Sequence, residues 1–288
     1  MVDILDIEAI NKTMDRLDLF ADEAKHVIEA LNELIRTLYS KGLCMTSWYG
    51  TLPSSGISRI LGQKENSIVG CDNRCSTYSP LLNSADDGRI PWYLYWEIFW
   101  VMKNGPKIKR NIRLLDAGGT SSLFSCYLAS LGAEVHSIDL NKRLSSNSNK
   151  IAKAMDWKMF SYCMNMKKLD FENEYFDHAY SLCVFEHLDY EIKKAALSEI
   201  ARCLKPNGIL SITFDYRNPS PSVVGHGPDM RDKNQLITKE DIETSFLSTE
   251  DFELIGNQEF HDNQKSYLVH PQRNIPYTFG AIFLRKRT

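Results

Sequence analysis

From residue 111 to the last residue the chain repeats one unit: a short apolar run, a turn of small residues, and a segment with apolar positions three or four apart. The apolar runs fall at about 112–116, 133–139, 158–163, 178–183 and 209–214, and helical spacing is read in Phe124, Leu128 and Leu131, in 143–156, and in Ala196, Leu197, Ile200, Ala201 and Leu204. Parallel strands cannot be joined by hairpins; each needs a crossover, so this alternation predicts a mostly parallel sheet with helices on both faces. Two further strands, about Phe252–Phe260 and Thr278–Arg285, bring the count to seven. A hairpin-like final pair makes one of them an antiparallel edge strand.

The residues before 111 read differently. Ala24, Val27, Ile28, Leu31, Leu34, Ile35 and Leu38 recur at helical spacing and Gly42 follows as a stop, predicting a helix over 22–41. Residues 43–90 are rich in Gly, Ser, Asn and Asp and read as loops. Pro91 then opens a segment placing Trp92, Trp96, Phe99 and Trp100 on one helical face. The division is therefore 1–110, a helical cap or substrate region, and 111–288, an α/β domain.

Lys and Arg total 34 against 37 Asp and Glu, a net charge of −3, which argues against a surface built wholly to track phosphates. The acidic start MVDILDIEAI lacks the basic residues of a leader, and the apolar stretch 91–102 is broken by Glu97 and falls well short of a bilayer span. A cytoplasmic protein without a membrane segment is expected. Seven scattered cysteines without a CxxC pair suit a reducing compartment. Cys71 and Cys75 could form half a metal site, but no matching pair follows.

Open parallel sheets bind ligands beyond the carboxyl ends of their strands. After the first strand comes Asp116-Ala117-Gly118-Gly119-Thr120-Ser121-Ser122, where a bare backbone opens a helix and lets a ligand approach closely. After the second stands Asp139, 21 residues beyond Gly118, where an acid accepts from both hydroxyls of a ribose. A dehydrogenase GxGxxG would need glycines at Thr120 and Leu123, so nicotinamide chemistry is disfavoured.

Four motifs together, LLDAGGTSS, VHSIDLN, CMNMKKLDFENEYFDHAYSLCVFEHL and CLKPNGILSITF, resemble those of the class I S-adenosylmethionine-dependent methyltransferases over about residues 112–288. The resemblance implies a Rossmann-like fold and S-adenosylmethionine as cofactor. It implies Asp116, Gly118, Gly119 and Thr120 along the methionyl part, Asp139 and Leu140 at the ribose, Asn165 and Met166 at adenine, and Cys183 at the fourth strand's end. Thr120 and Ser122 stand where the family repeats glycine. The implied activity is methyl transfer by in-line displacement to a small-molecule acceptor, in which alignment supplies most of the acceleration.

On the acceptor side the same reading puts Glu186, Asp215, Tyr216 and His226, with His187 as the candidate general base because its unperturbed pKa lies near neutrality. Glu186 and His187 read equally well as helix-capping or cofactor-orienting residues. Metal-assisted hydroxyl methylation is disfavoured, since Cys183 occupies the place of a second Glu and hard cations want oxygen ligands. No metal is assigned. Tyr49, Trp92, Tyr93 and Tyr95 offer aromatic surface to an acceptor or are simply buried. In this family N-terminal helices cover the substrate or mediate dimer contacts. Two alternatives remain: a nucleic-acid methyltransferase, from the basic run Lys103, Lys107, Lys109, Arg110 and Arg113, and a non-catalytic binding subunit, from Thr120 and Ser122.

Overall fold

The computed structural model describes residues 9–46, 52, 90–218, 236–267 and 276–288. Tyr49, Cys71, Cys75, His226 and His270 lie outside them.

In chain order the elements are β1 (Lys12–Thr13), α1 (Asp22–Ser40), α2 (Trp92–Asn104), β2 (Arg113–Ala117), α3 (Leu123–Ser130), β3 (Glu134–Asp139), α4 (Lys142–Met155), β4 (Met159–Cys163), β5 (Phe176–Leu182), α5 (Tyr190–Cys203), β6 (Leu204–Tyr216), β7 (Phe252–Leu254) and β8 (Thr278–Lys286). Short 3-10 turns at Arg16–Phe20 and Phe185–His187, and a helical turn Lys239–Asp241 running into a π-helical segment Ile242–Leu247, complete the set.

The sheet order is β1-β8-β6-β5-β2-β3-β4, with β7 also pairing β8. Strands β2 to β6 pair in parallel, and β8 runs against β6, β1 and β7. The α/β, mostly parallel sheet with one antiparallel strand is thus as the pattern required. An eighth strand, β1, adds to the seven expected. Two residues carry no readable periodicity, and β1 exists through distant partners: Asn11, fully buried, receives the Phe283 N–H at 2.8 Å on Oδ1 and donates Nδ2 to Ile255 O at 2.6 Å. The strand expected over 252–260 stops at Leu254 because Gly256 turns the chain at φ +84 and the Asn257 side chain replaces the ladder by accepting from the Ile10 and Asn11 N–H groups.

Helix ends follow their local chemistry. Beyond α1, Leu43 N–H reaches Leu38 O and Gly42 N–H reaches Tyr39 O, and Ala133 and Gly132 close α3 on Leu128 and Ala129 in the same way. Both are Schellman ends, with glycine at positive φ supplying the reversal. Along β8, Phe279, Ala281 and Phe283 enter one core cluster while Ile282 and Leu284 enter the other, the two-residue period of a strand covered on both faces. The first cluster lies under α1 to α4 and the second under α5 and the π-helical segment.

Helix α2 is buried almost all round: Trp92, Tyr93, Tyr95, Trp96, Ile98, Phe99, Trp100 and Val101 are core residues. Tyr93 stacks on Phe279 with ring centroids 4.1 Å apart, and Tyr95 donates its hydroxyl to Asn32 Oδ1 at 2.7 Å. These aromatic side chains are used in packing rather than offered to an acceptor.

Candidate active site

The Asp116 carboxylate ends β2 inside the protein, 1% exposed. Ser125 Oγ donates to its Oδ2 at 2.5 Å, while Oδ1 accepts no hydrogen bond. Burial pushes this carboxyl up to about 6, against the Ser125 bond that lowers it. Gly118 follows at φ +93, where a Cβ would meet Val184 Cγ2 at 2.6 Å, and at Gly119 a Cβ would meet both Asp116 oxygens at 2.2 Å. Glycine is required at both positions.

The two departures from the glycine pattern have distinct local uses. Ser122 caps α3, accepting from Ser125 N–H at 3.1 Å. Thr120 is buried on the pocket wall and its Oγ1 has no partner. Between them Ser121, at φ +64, is held through its carbonyl by the Thr46 N–H at 2.9 Å and hydroxyl at 3.0 Å. Its hydroxyl accepts from Asn147 Nδ2 at 2.7 Å. The loop is fixed from outside by the N-terminal region and by α4, which lets it dispense with further glycines.

A cavity opens at this edge of the sheet, walled by Asp116, Gly118, Gly119, Thr120, Asp139 and Cys183. Thr46, Ile90 and Leu94 enter it from the N-terminal region. Asp139 is half-buried; its Oδ1 accepts from Asn141 N–H at 2.7 Å, and burial raises its carboxyl. The structure therefore brings together Asp116, Gly118, Gly119, Thr120, Asp139 and Cys183. Leu140, Asn165 and Met166 are not among the lining residues: Leu140 is 72% exposed, and Asn165 Oδ1 closes its own turn on Lys167 N–H at 3.0 Å.

Beyond β5 and β6 the acceptor-side candidates separate. Glu186 and Asp215 are buried, and Asp215 N–H approaches Glu186 Oε1 at 3.4 Å. His187 points outward and is exposed. Tyr216 is buried, its hydroxyl donating to Asp262 Oδ2 at 3.0 Å, a core contact. Glu97 is the residue that sequence reading did not place here. It is fully buried, and Cys183 Sγ donates to its Oε1 at 2.7 Å. Burial pushes Glu97 up to about 7 and Glu186 up to about 8, and holds the Cys183 thiol well above its ordinary range. The available signal was a lone acid in an otherwise apolar helix, opposite the alternation Ser211, Thr213, Asp215 along β6.

Residues 115–212 match the methyltransferase domain family. About a third of the chain is thus a methyltransferase domain. An uncharacterized protein of Haemophilus influenzae is 30% identical to this chain over 119 residues, 40% of this chain and 47% of that one, so the chain spans about half of that relative. Among solved structures, the [4+2]-cyclase SpnF aligns over 92% of this chain and 95% of its own at TM-score 0.54 and 15% identity. The MccD protein aligns over 67% and 96% at TM-score 0.51 and 20% identity. These likenesses concern the fold, and a shared fold leaves the chemistry to the site.

S-adenosylmethionine is the cofactor of this family, and the pocket suits it. The orphaned Asp116 Oδ1 can accept from the ligand's ammonium, Thr120 Oγ1 can donate to its carboxylate, and Asp139 keeps an oxygen for the ribose hydroxyls. No described helix is long and apolar enough to cross a membrane.

Proposed function

We propose that the chain transfers a methyl group from S-adenosylmethionine to a small-molecule acceptor bearing an oxygen or nitrogen nucleophile, under a cap formed by residues 1–110. The observation that carries the reading is the pair of buried, unpartnered polar atoms, Asp116 Oδ1 and Thr120 Oγ1, beside the bare Gly118–Gly119 backbone. Such atoms cost about 1–3 kcal/mol each when left unmade, and a zwitterionic ligand would satisfy both. When bound, the cofactor supplies a methyl group on a good leaving group.

The chain's own residues then bind and align. Asp116 and Thr120 fix one end of the ligand, Asp139 fixes the ribose, and Val184 and Cys183 form the wall toward the acceptor. Thr46, Ile90 and Leu94 support the cap reading, because they close the same cavity from the N-terminal side. Holding two reactants in line removes most of the entropic barrier without a strong base. For a hydroxyl acceptor His187 is the candidate proton acceptor, and His187→Ala should then lower turnover at neutral pH more than at pH 9.

The nucleic-acid alternative finds less support in the basic run. The Lys103 ammonium lies over the rings of Trp100 and Phe99, and Arg113 pairs with Glu134 and covers Tyr175.

The test is calorimetric titration with S-adenosylmethionine and S-adenosylhomocysteine, then transfer of labelled methyl to a panel of hydroxyl- and amine-bearing small molecules. Binding near micromolar that Asp139→Ala weakens at least tenfold is the expected result. A folded wild type that binds neither nucleoside would overturn the reading.

A further inference from the structure

Behind the Cys183 wall of the pocket two buried acids meet. Glu97 comes from α2, one turn after Leu94 and therefore on the helix face that closes the cavity, and its Oε1 accepts from Cys183 Sγ at 2.7 Å. Glu186 comes from the 3-10 turn after β5, and one of its oxygens lies within 4.8 Å of the same sulfur. Glu97 is 0% and Glu186 1% exposed. Neither Oε2 makes a hydrogen bond, although Thr213 on β6 stands close enough to lower the Glu97 carboxyl. Cys183 itself lines the cavity, so the Glu97 carboxyl lies one thiol behind its surface. The donor's sulfonium joins the methionyl part, at Asp116 and Thr120, to the ribose at Asp139, and all three residues line that same cavity.

We propose that Glu97, with Glu186 beside it, reads the charge of the sulfonium, so that the pocket favours the positively charged methyl donor over its neutral product, S-adenosylhomocysteine. The inference rests on the cofactor reading above and gives a role to two residues that do not line the cavity. A carboxylate removed from water is costly, and a fixed cation nearby offsets the cost. Loss of the methyl group removes that cation, and the product is then held less firmly. Burial holds both acids high, and Glu97 pushes Glu186 higher still, so they part with protons close to neutrality. A cation in the pocket lowers both; donor binding therefore releases protons, and preference for the donor rises with pH. The other charged groups around the pair are Asp215 on β6, which acts on Cys183, His187 on the same turn as Glu186, and Lys193 on α5, which acts on Glu186, Asp189 and Asp241. Asp215 and His187 have further partners of their own. Asp116 faces an ammonium that donor and product share, so its titration cancels in their affinity ratio.

The experiment titrates the full chain calorimetrically, from pH 6 to pH 8.5, with S-adenosylmethionine, S-adenosylhomocysteine and sinefungin, which carries an amine where the donor has its sulfonium methyl and so separates charge from methyl bulk. In wild type the affinity ratio of donor to product should rise by about threefold or more across that range, with sinefungin following the donor. In buffers of different ionisation enthalpy, donor binding should release more protons than product binding. Glu97→Gln, whose amide oxygen can still accept from Cys183, should flatten the rise and lower the ratio at pH 8 by about threefold or more, and Glu186→Gln should move it in the same direction. A purely structural role for Glu97 would weaken all three ligands alike and leave the ratio where it was. A wild-type ratio that does not vary with pH, or one that Glu97→Gln leaves unchanged, overturns the proposal. A folded wild type that binds none of the three overturns the cofactor reading, and this inference with it.

Discussion

Replacing Gly119 by alanine would place a methyl carbon 2.2 Å from each oxygen of Asp116 and 2.4 Å from its carboxyl carbon. Asp116 has nowhere to go. Its backbone is locked between Ser137 on β3 and Tyr180 on β5, and its Oδ2 is held by Ser125 at 2.5 Å. Either the carboxylate rotates and loses Ser125, costing about 1–3 kcal/mol for a second orphaned oxygen, or the loop shifts at an overpacking cost of about 1–3 kcal/mol. Taking about 2 kcal/mol, melting should drop by roughly 3 °C for a chain of this size. The same displacement spoils the cradle, so affinity for S-adenosylhomocysteine should fall by about thirtyfold if all of it is lost on binding. Gly132→Ala is the control. It is strained by φ +88 and meets only Arg110 at 3.3 Å, away from the pocket, so it should melt earlier and bind as wild type. Gly119→Ala with unchanged affinity and a melting point within about 1 °C of wild type would show the close approach to be wrong.

Other substitutions probe different parts of the same network. Ser125→Ala removes the bond that lowers the Asp116 carboxyl; cofactor affinity, which needs the ionised acid, should fall through a midpoint near 6 in wild type and through a higher pH in the variant, as calorimetry across pH 5.5–8 would reveal. Asn147→Ala frees Ser121 Oγ and Cys44 O together and should cost about 1–3 kcal/mol in urea unfolding; an unchanged midpoint would mean that the loop is not anchored there. His178 is kept neutral by burial, which pushes it down to about 4, and its Nδ1 accepts from Ile209 N–H at 3.1 Å. The unfolded chain takes up a proton below its ordinary 6.5 while the native chain does not, so stability should decline as pH falls from 6.5 toward 4. His178→Gln should flatten that slope in unfolding measured at several pH values, and an unaltered slope refutes the assignment.

Periodicity identified β2 to β6 and β8 because each is a short, mostly apolar run bounded by turn residues; β4, at the sheet edge, alternates buried and exposed positions instead. It could not identify β1 or the early end of β7, which depend on Asn11 and Asn257 across some 245 residues. At the site, Asp116, Gly118, Gly119 and Asp139 were legible because a strand end followed by a tight turn leaves a local signature. Glu97 was not. Its meaning comes from a thiol 86 residues away, and within its own helix it reads as an interruption. Thr120 and Ser122 read as departures from a pattern, whereas their surroundings show one capping a helix and the other facing the cavity.

The place of β8 in the sheet has a consequence for biosynthesis. Residues 278–286 lie between β6 on one side and β1 with β7 on the other, so β1 has no strand partner until β8 has been made. During translation the edge of β6 stays open, and the buried Asn11 waits first for Ile255 and Asn257 and then for the Phe283 N–H of β8. A chain that stops before residue 278 carries a bare β6 edge, β7 without a ladder and β1 joined only through His261, a species suited to pairing with its own copies.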